Sequence, residues 1–291
     1  MKLPDYLSYD RETIKKLRTQ KIFRYGDVKR FDDELDYLMG FKDQLIEDFF
    51  AEYDSIEDCL NKGTTSAMGA IYKNLNRSKE GQGTKDGLKG VSKNGKWDLD
   101  AWRVLVVKYH NPNIAGPGSD PNYQNELLDR KRRMDGYNVD RFKTMKGIGE
   151  RYGDICPILE YSILPANSII ERHIGIENKD GKHIRIHIPL IIPKGDIFFE
   201  ANCEEVDWEN PWGFNNQYMH SAHNNTDEHR LIMLIDLKRT YVGIPPAKHF
   251  KDMTTEEIGD IHFRYARDND REQPKISSSL SNKFRNPEDY I

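Results

Sequence analysis

HIRIHIPLII, residues 183–192, decides how the second half of the chain is read. Successive side chains of a strand point to opposite faces, so His183, Arg185 and His187 share one face and Ile184, Ile186 and Ile188 the other. The isoleucines predict an apolar layer behind the strand. The polar row either faces solvent or lies on the inner face of a small barrel, where it needs partners such as a bound anion or metal. Similar runs stand on both sides: ILEYSIL (158–164), SIIERHI (168–174), DIFFEA (196–201) and LIMLIDL (231–237). Turn signals separate them at Pro165-Ala166-Asn167, Asn178-Lys179-Asp180-Gly181, Pro193-Lys194-Gly195-Asp196 and Asn224-Asn225. Short strands at this spacing predict an antiparallel sandwich or barrel of the jelly-roll type over residues 155–242.

Upstream the pattern is different. Phe31, Leu35, Leu38, Leu45 and Phe49 recur at spacings of three, four and seven, one apolar stripe of a helix between residues 31 and 53. Asp54 or Ser55 suits the N-cap of a further helix running to Leu75. Residues 79–97 form a Gly/Lys-rich loop in which Gly90, Gly95 and Lys96 imitate a phosphate-binding loop. Trp97 stands where that loop needs Ser or Thr, and no apolar strand leads in, so the nucleotide reading is rejected. WRVLVVKY (102–109) reads as a buried strand, and NPNIAGPGSDP (111–121) as a long turn before a mixed polar segment to about residue 150. Residues 253–268 suit a terminal helix, followed by a polar tail. The expected class is α+β with a mainly β core. It comprises a mostly helical portion with some strand over 1–150, a jelly-roll core over 151–245, and a C-terminal helix and tail over 246–291, with the first portion in the same domain as the core.

Bulk chemistry removes several function classes. Of 291 residues, 37% are hydrophobic and 32% charged, and the formal net charge is −4, so there is no electrostatic case for nucleic acid. The short basic run Arg130-Lys131-Arg132-Arg133 is read as solvated surface. Cys59, Cys156 and Cys203 are far apart and odd in number, with no CxxC pair, which argues against a zinc cluster or a disulfide framework and fits a reducing cytosol. No signal-peptide core opens the chain and no apolar window approaches membrane-spanning length, so a cytoplasmic protein is expected and the sequons at Asn76 and Asn224 are read as chance matches.

The chemistry lies in a spaced set of histidines and arginines: His173, Arg185, His187, His220 and Arg230. Two neutral imidazoles can hold a divalent metal, and arginines beside them can hold a carboxylate ligand of that metal. Arg230 opens a run that is apolar on both faces, so its guanidinium needs a carboxylate. Asp236 shares its strand face but lies about 20 Å along the strand at roughly 3.3 Å per residue. A ligand carboxylate and a structural salt bridge to another acid both remain open. His223 competes with His220 as a ligand; His229 reads as structural or surface. Trp208, Trp212 and Asn215 read as packing residues ahead of His220.

These residues resemble the aspartyl/asparaginyl β-hydroxylase family of Fe(II)/2-oxoglutarate-dependent oxygenases. The matching stretch is residues 161–239: Ser162 eleven residues before HIG (173–175), RIH (185–187), the turn in IPLIIPKGD, His220 in HSAHN, and Arg230 ten residues later. The resemblance implies a double-stranded β-helix and a site in which His173 and His220 bind Fe(II). It implies that Arg230 and Ser162 hold the distal carboxylate of 2-oxoglutarate, and that Arg185 and His187 attend the carboxylate beside the metal. Gly175 stands where most such oxygenases carry a third, acidic ligand, and glycine there is normal for this family. The implied reaction is hydroxylation of a C–H bond of an amino acid or peptide-like substrate, using O2 and decarboxylating 2-oxoglutarate to succinate. Two other readings stay open: a halogenase with chloride at the position vacated by Gly175, and a cupin-type metal protein built on His183, His187 and His220.

Overall fold

The computed structural model describes residues 5–62, 65–66, 90–92, 97–98, 103–109 and 141–257, apart from 174, 176, 177, 179 and 203. Helices α1 (Arg11–Thr19), α2 (Lys29–Met39), α3 (Lys42–Glu52) and α4 (Ile56–Lys62) fill the first part, with a short strand β1 (Ile22–Phe23) between the first two. Next come β2 (Thr65–Ser66), β3 (Gly90–Ser92), β4 (Trp97–Asp98) and β5 (Arg103–Tyr109), then α5 (Lys143–Tyr152). The remaining strands are β6 (Ile158–Leu164), β7 (Ser168–His173), β8 (His183–Ile191), β9 (Ile197–Ala201), β10 (Glu204–Val206), β11 (Trp212–Phe214), β12 (His220–Asn224) and β13 (Arg230–Lys238).

The strands form two antiparallel sheets. The major sheet runs β1-β11-β8-β13-β6-β5-β2 and the minor sheet β10-β9-β12-β7-β3-β4. From β6 onward the chain passes back and forth between them, with β9 and β10 as one hairpin of the minor sheet, so residues distant in sequence meet across the gap. One face of the major sheet is apolar because every second residue of its central strands is: Tyr161 and Ile163 on β6, Ile184, Ile186 and Ile188 on β8, and Met233, Ile235 and Leu237 on β13. The helices cover this face with Phe31, Leu35, Leu38, Leu45 and Phe49, all fully buried. The other face meets the minor sheet through Leu164, Phe199, Ala222, Trp212, Phe214 and Ile232. The product is three layers, helices on sheet on sheet, the mixed α and β architecture expected.

Differences from the sequence reading have local causes. The single stripe over 31–53 is two helices, broken where Gly40 caps α2 through its N–H to the Asp36 carbonyl and Phe41 leaves helical geometry at φ −101°. Both segments keep the stripe because both lie on the same sheet face. Ser55 does open α4, its Oγ accepting from Asp58 N at 3.0 Å. The expected end of that helix at Leu75, the loop at 79–97, the turn at 111–121, the basic run at 130–133 and most of the terminal helix lie wholly or largely outside the described residues. Helix α5 sits within a stretch read as mixed polar sequence; its buried Met145, Ile148 and Tyr152 recur at spacings of three and four, a helical signal that reading missed. The turns at 165–167, 178–181 and 193–196 are present, with Asn167, Gly181 and Gly195 at positive φ. Asn224 is buried and its Nδ2 donates to the carbonyls of Leu164, Pro165 and Glu228, which removes it as a glycan acceptor.

Helix layer and major sheet are also tied by Tyr161, whose buried hydroxyl donates to the Leu45 carbonyl at 2.8 Å while its ring meets Phe49 and Phe142 edge-on. Removing the hydroxyl deletes one buried hydrogen bond and leaves the ring packing, so Tyr161→Phe should lower unfolding stability by about 1 kcal/mol in urea titrations, with an unchanged m-value.

Candidate active site between the two sheets

The facing surfaces of the two sheets line a small cavity that is partly open to solvent. The major sheet contributes Ser162 from β6, Arg185 and His187 from β8, Phe214 from β11, and Arg230, Ile232 and Leu234 from β13. The minor sheet contributes Ile170, Phe199, His220, Ser221 and Ala222. Strand register explains the assembly. Leu234 pairs with His187, and Ile232 with Ser162, so alternation along β13 brings Arg230 onto the face that carries those two residues.

His220 and His173 stand directly opposite each other in the β12–β7 ladder. Forty-seven residues apart in sequence, they become register partners because β7 and β12 are antiparallel neighbours. His220 is buried, and its Nδ1 lies 2.8 Å from the Tyr218 carbonyl. A carbonyl only accepts, so Nδ1 carries the hydrogen. Metal-binding imidazoles are commonly oriented in this way, by donation of the other ring N–H to a backbone carbonyl. His223 is on the opposite strand face, stacked on Phe198 at 4.4 Å and outside the cavity wall. His229 holds the β6–β7 turn, accepting from Ala166 N at Nδ1 and meeting Glu57 at Nε2. His183 is buried but does not line the cavity.

Arg230 is 1% exposed. Among the described residues no carboxylate is in ion-pair range of it, and its Nε is a buried donor with no hydrogen-bond partner. The Trp208 ring lies 4.7 Å from its Cζ. Burial without a counter-charge pulls the guanidinium down from its ordinary value to about 9, which still leaves it cationic near neutral pH. An unpaired buried cation is expensive. Its position on a cavity wall makes that cavity an anion receptor.

Arg185 has a different environment. Its Nε and Nη2 fork onto Asp236 at 2.8 and 2.9 Å, both residues buried. Asp236 is therefore the acid that completes β8, not a remote partner of Arg230, because the β13–β8 register sets it directly across from Arg185. His187 is fully enclosed by aromatic rings: Trp212 at 4.4 Å, Phe199 and Phe214 at 5.3 Å, and Trp208 nearly parallel at 5.7 Å. Desolvation, reinforced by Arg230 and Arg185, holds its pKa well below the ordinary histidine value, so the ring is neutral. Its Nδ1 is also a buried atom without a partner, as are the indole nitrogens of Trp208 and Trp212. Four of the seven such atoms among the described residues thus belong to this one cluster. The two tryptophans, read from sequence as packing residues, pack here around His187 and Arg230. Their spacing in WENPW held no signal of that, because the loop carrying them is placed only by the fold.

Gly175, two residues past His173, is fixed in a cradle with no room for a side chain. A Cβ there would lie 2.5 Å from Asn216 Nδ2 and 3.0 Å from its carbonyl, which already accepts from Gly175 N at 2.7 Å. Asn216 cannot swing aside, since Asn178 Nδ2 donates to its Oδ1 at 2.7 Å. Asn178 in turn is locked to the His183 backbone, donating to its carbonyl and accepting from its N–H. A third, acidic ligand at position 175 is sterically excluded. With His220 on the cavity wall, His173 its register partner and Arg230 nearby, the residue types present suit a histidine-bound metal beside an anion. Among the described residues no three His, Cys, Asp or Glu side chains are gathered into a metal cage.

A family model for aspartyl/asparaginyl β-hydroxylases matches residues 80–240, more than half of the chain, and the chain belongs to that family. It is accordingly an oxygenase of the hydroxylase type. No curated protein matches significantly. Solved structures overlap it loosely. A prolyl-4-hydroxylase from Pseudomonas putida is 12% identical over 47% of this chain and 71% of its own, with a TM-score of 0.25. A prolyl hydroxylase from Trichoplax adhaerens, in complex with a hypoxia inducible factor oxygen degradation domain peptide fragment, is 12% identical over 72% of this chain and 94% of its own, with a TM-score of 0.26. A predicted oxalate decarboxylase from Thermotoga maritima is 15% identical over 31% of this chain and 73% of its own, with a TM-score of 0.25. At these scores the likeness carries no further weight. Among the described residues no helix is long and apolar enough to cross a membrane.

Two outcomes follow from this geometry. Gly175→Ala should cost about 1–3 kcal/mol of stability through the clash with the locked Asn216, measured as a lower denaturation midpoint. His187 and His183 both have pKa values lowered by burial, so below about 6.5 the unfolded chain binds protons that the native rings refuse. Native stability should then fall as pH drops below that value, by up to about 1.4 kcal/mol per pH unit for each ring. In urea titrations at pH 7 and pH 5, His187→Gln should show a smaller loss than the parent protein.

Proposed function

We propose that this protein is an Fe(II)/2-oxoglutarate-dependent dioxygenase that hydroxylates an unactivated C–H bond of an amino acid or peptide-like substrate. The observation that carries the reading is Arg230: a fully buried guanidinium without an acid among the described residues, on the wall of a cavity that also holds His220. A dicarboxylic acid answers both ends of that cavity, one carboxylate for the arginine and an oxo-acid end for a metal. The passage of β6–β13 back and forth between two sheets supports taking these strands as a double-stranded β-helix.

His173 and His220 would hold the iron from opposed register positions. Fe(II) with 2-oxoglutarate supplies activation of O2, coupled to release of succinate and CO2 and to insertion of one oxygen atom into a substrate C–H bond. The chain's own residues do the rest. The Tyr218 carbonyl fixes the His220 hydrogen on Nδ1 and orients the ring. Arg230 neutralises the distal carboxylate, with the Ser162 hydroxyl beside it. His187, held neutral, offers its single N–H to the carboxylate beside the metal. Arg185 stands by that carboxylate as half of an ion pair, so Asp236 blunts its pull and His187 takes the larger share. Phe199 and Phe214, on the cavity wall, keep water from the reacting centre, which strengthens each of these polar contacts. Asn216, by filling the space beside Gly175, reserves a coordination position that a protein acid would otherwise take.

The test is succinate release from 2-oxoglutarate with Fe(II) and ascorbate. His220→Ala should abolish turnover, and His223→Ala should retain it; the reverse pattern would sink the ligand assignment. Arg230→Ala should raise the 2-oxoglutarate requirement by an amount equivalent to about 2–4 kcal/mol. Product mass with and without chloride separates hydroxylation from halogenation.

A further inference from the structure

We propose that Trp208 is the positioning residue for Arg230, its indole face holding the guanidinium ready for the distal carboxylate of a short dicarboxylic acid. The inference rests on the function proposed above and deepens it. Arg side chains are long and flexible, and an unpaired buried one gains by swinging toward any available acceptor. The acid nearest along its own strand face, Asp236, is already forked by Arg185. What remains to hold Arg230 is a π face, and the Trp208 ring lies 4.7 Å from its Cζ. Cation–π attraction is strongest for tryptophan and grows when the pair is desolvated, as it is here with Trp208 5% and Arg230 1% exposed.

The indole is itself held. It lies 9° from parallel with His187 at 5.7 Å, tilts against Trp212 at 5.2 Å and meets Phe199 edge-on at 6.4 Å. Trp208 follows β10 in a turn, outside the regular strands, so these rings fix it in place of a backbone ladder. One residue therefore touches both the group proposed for the far carboxylate, Arg230, and the group proposed for the near one, His187. The Trp208 ring sets their separation without lining the cavity itself.

The experiment compares wild type, Trp208→Leu and Trp208→Phe in two measurements. The first is the KM and kcat for 2-oxoglutarate in succinate release. The second is binding of glutarate to metal-free protein by calorimetry; glutarate keeps both carboxylates but cannot chelate a metal through an oxo group. Trp208→Leu should raise KM and the glutarate Kd at least ten-fold while kcat at saturation stays within three-fold. Trp208→Phe, which keeps a ring face, should lie within three-fold of wild type in both. A role in folding alone would lower kcat through loss of active protein and leave KM and Kd unmoved, and that result overturns the proposal. So does a Leu variant with KM and Kd within three-fold of wild type, or a Phe variant as impaired as the Leu variant.

If the Leu variant fails to fold, indole emission decides. Glutarate should change the emission of the wild type, and Trp208→Phe should lose at least half of that change; a change fully retained in the Phe variant sinks the inference. Wild type that binds glutarate without turning over 2-oxoglutarate removes the proposed function and leaves the positioning role standing. Wild type that binds neither removes both.

Discussion

A positive charge enclosed between two sheets with no acid beside it is the constraint around which this structure is arranged. Arg230 gives nothing to the stability of the empty protein; desolvation of a guanidinium works against folding. It is tolerated because the layers around it are strongly apolar, with the helix-covered face of the major sheet supplying the compensating burial. The other cation on the same wall, Arg185, shows the contrast. It has Asp236 opposite in the ladder and is electrically closed. Among the described residues the fold thus pairs one buried arginine with an acid and leaves its neighbour without one.

Rigidity around the receptor comes from small polar locks more than from the sheets alone. Asn178 grips the backbone of His183 and the side chain of Asn216, and Asn216 grips the backbone of Gly175. The chain leaving β7 after His173 is thereby tied to the chain entering β8 and to the segment before β12. Both strands that carry the candidate ligands are anchored to the same network. The glycine is required by contact distance, not by an unusual backbone angle, since any Cβ would overlap Asn216.

The aromatic residues divide into two populations with different work. On the helix side, Tyr161, Phe49 and Phe142 pack edge to face and close the core. Between the sheets, Phe199, Trp208, Trp212 and Phe214 surround His187 and exclude water from polar atoms that a ligand would satisfy. The second group lowers the local dielectric where charge is to be recognised, so a single guanidinium can dominate the site.

The sequence alone determined the elements whose information is local. Period-two alternation marked β8, and short apolar β-rich runs marked β6 and β13, to within a residue at either end, while the 3.6-residue stripe marked the helical layer. The spacing of Ser162, His173, Arg185, His187, His220 and Arg230 was enough to identify the family, because strand lengths and turn lengths fix those intervals along the chain. Tertiary structure decided what depends on register. Asp236 turned out to face Arg185, while His220 lines the cavity and His223 does not, because strand pairing and not sequence distance selects neighbours. The break at Gly40, the short strands β10 to β12, the lock on Gly175 and the tryptophan pair around His187 carry no periodic signal. They exist only once two sheets are brought face to face, and that closure is a property of the whole chain's packing.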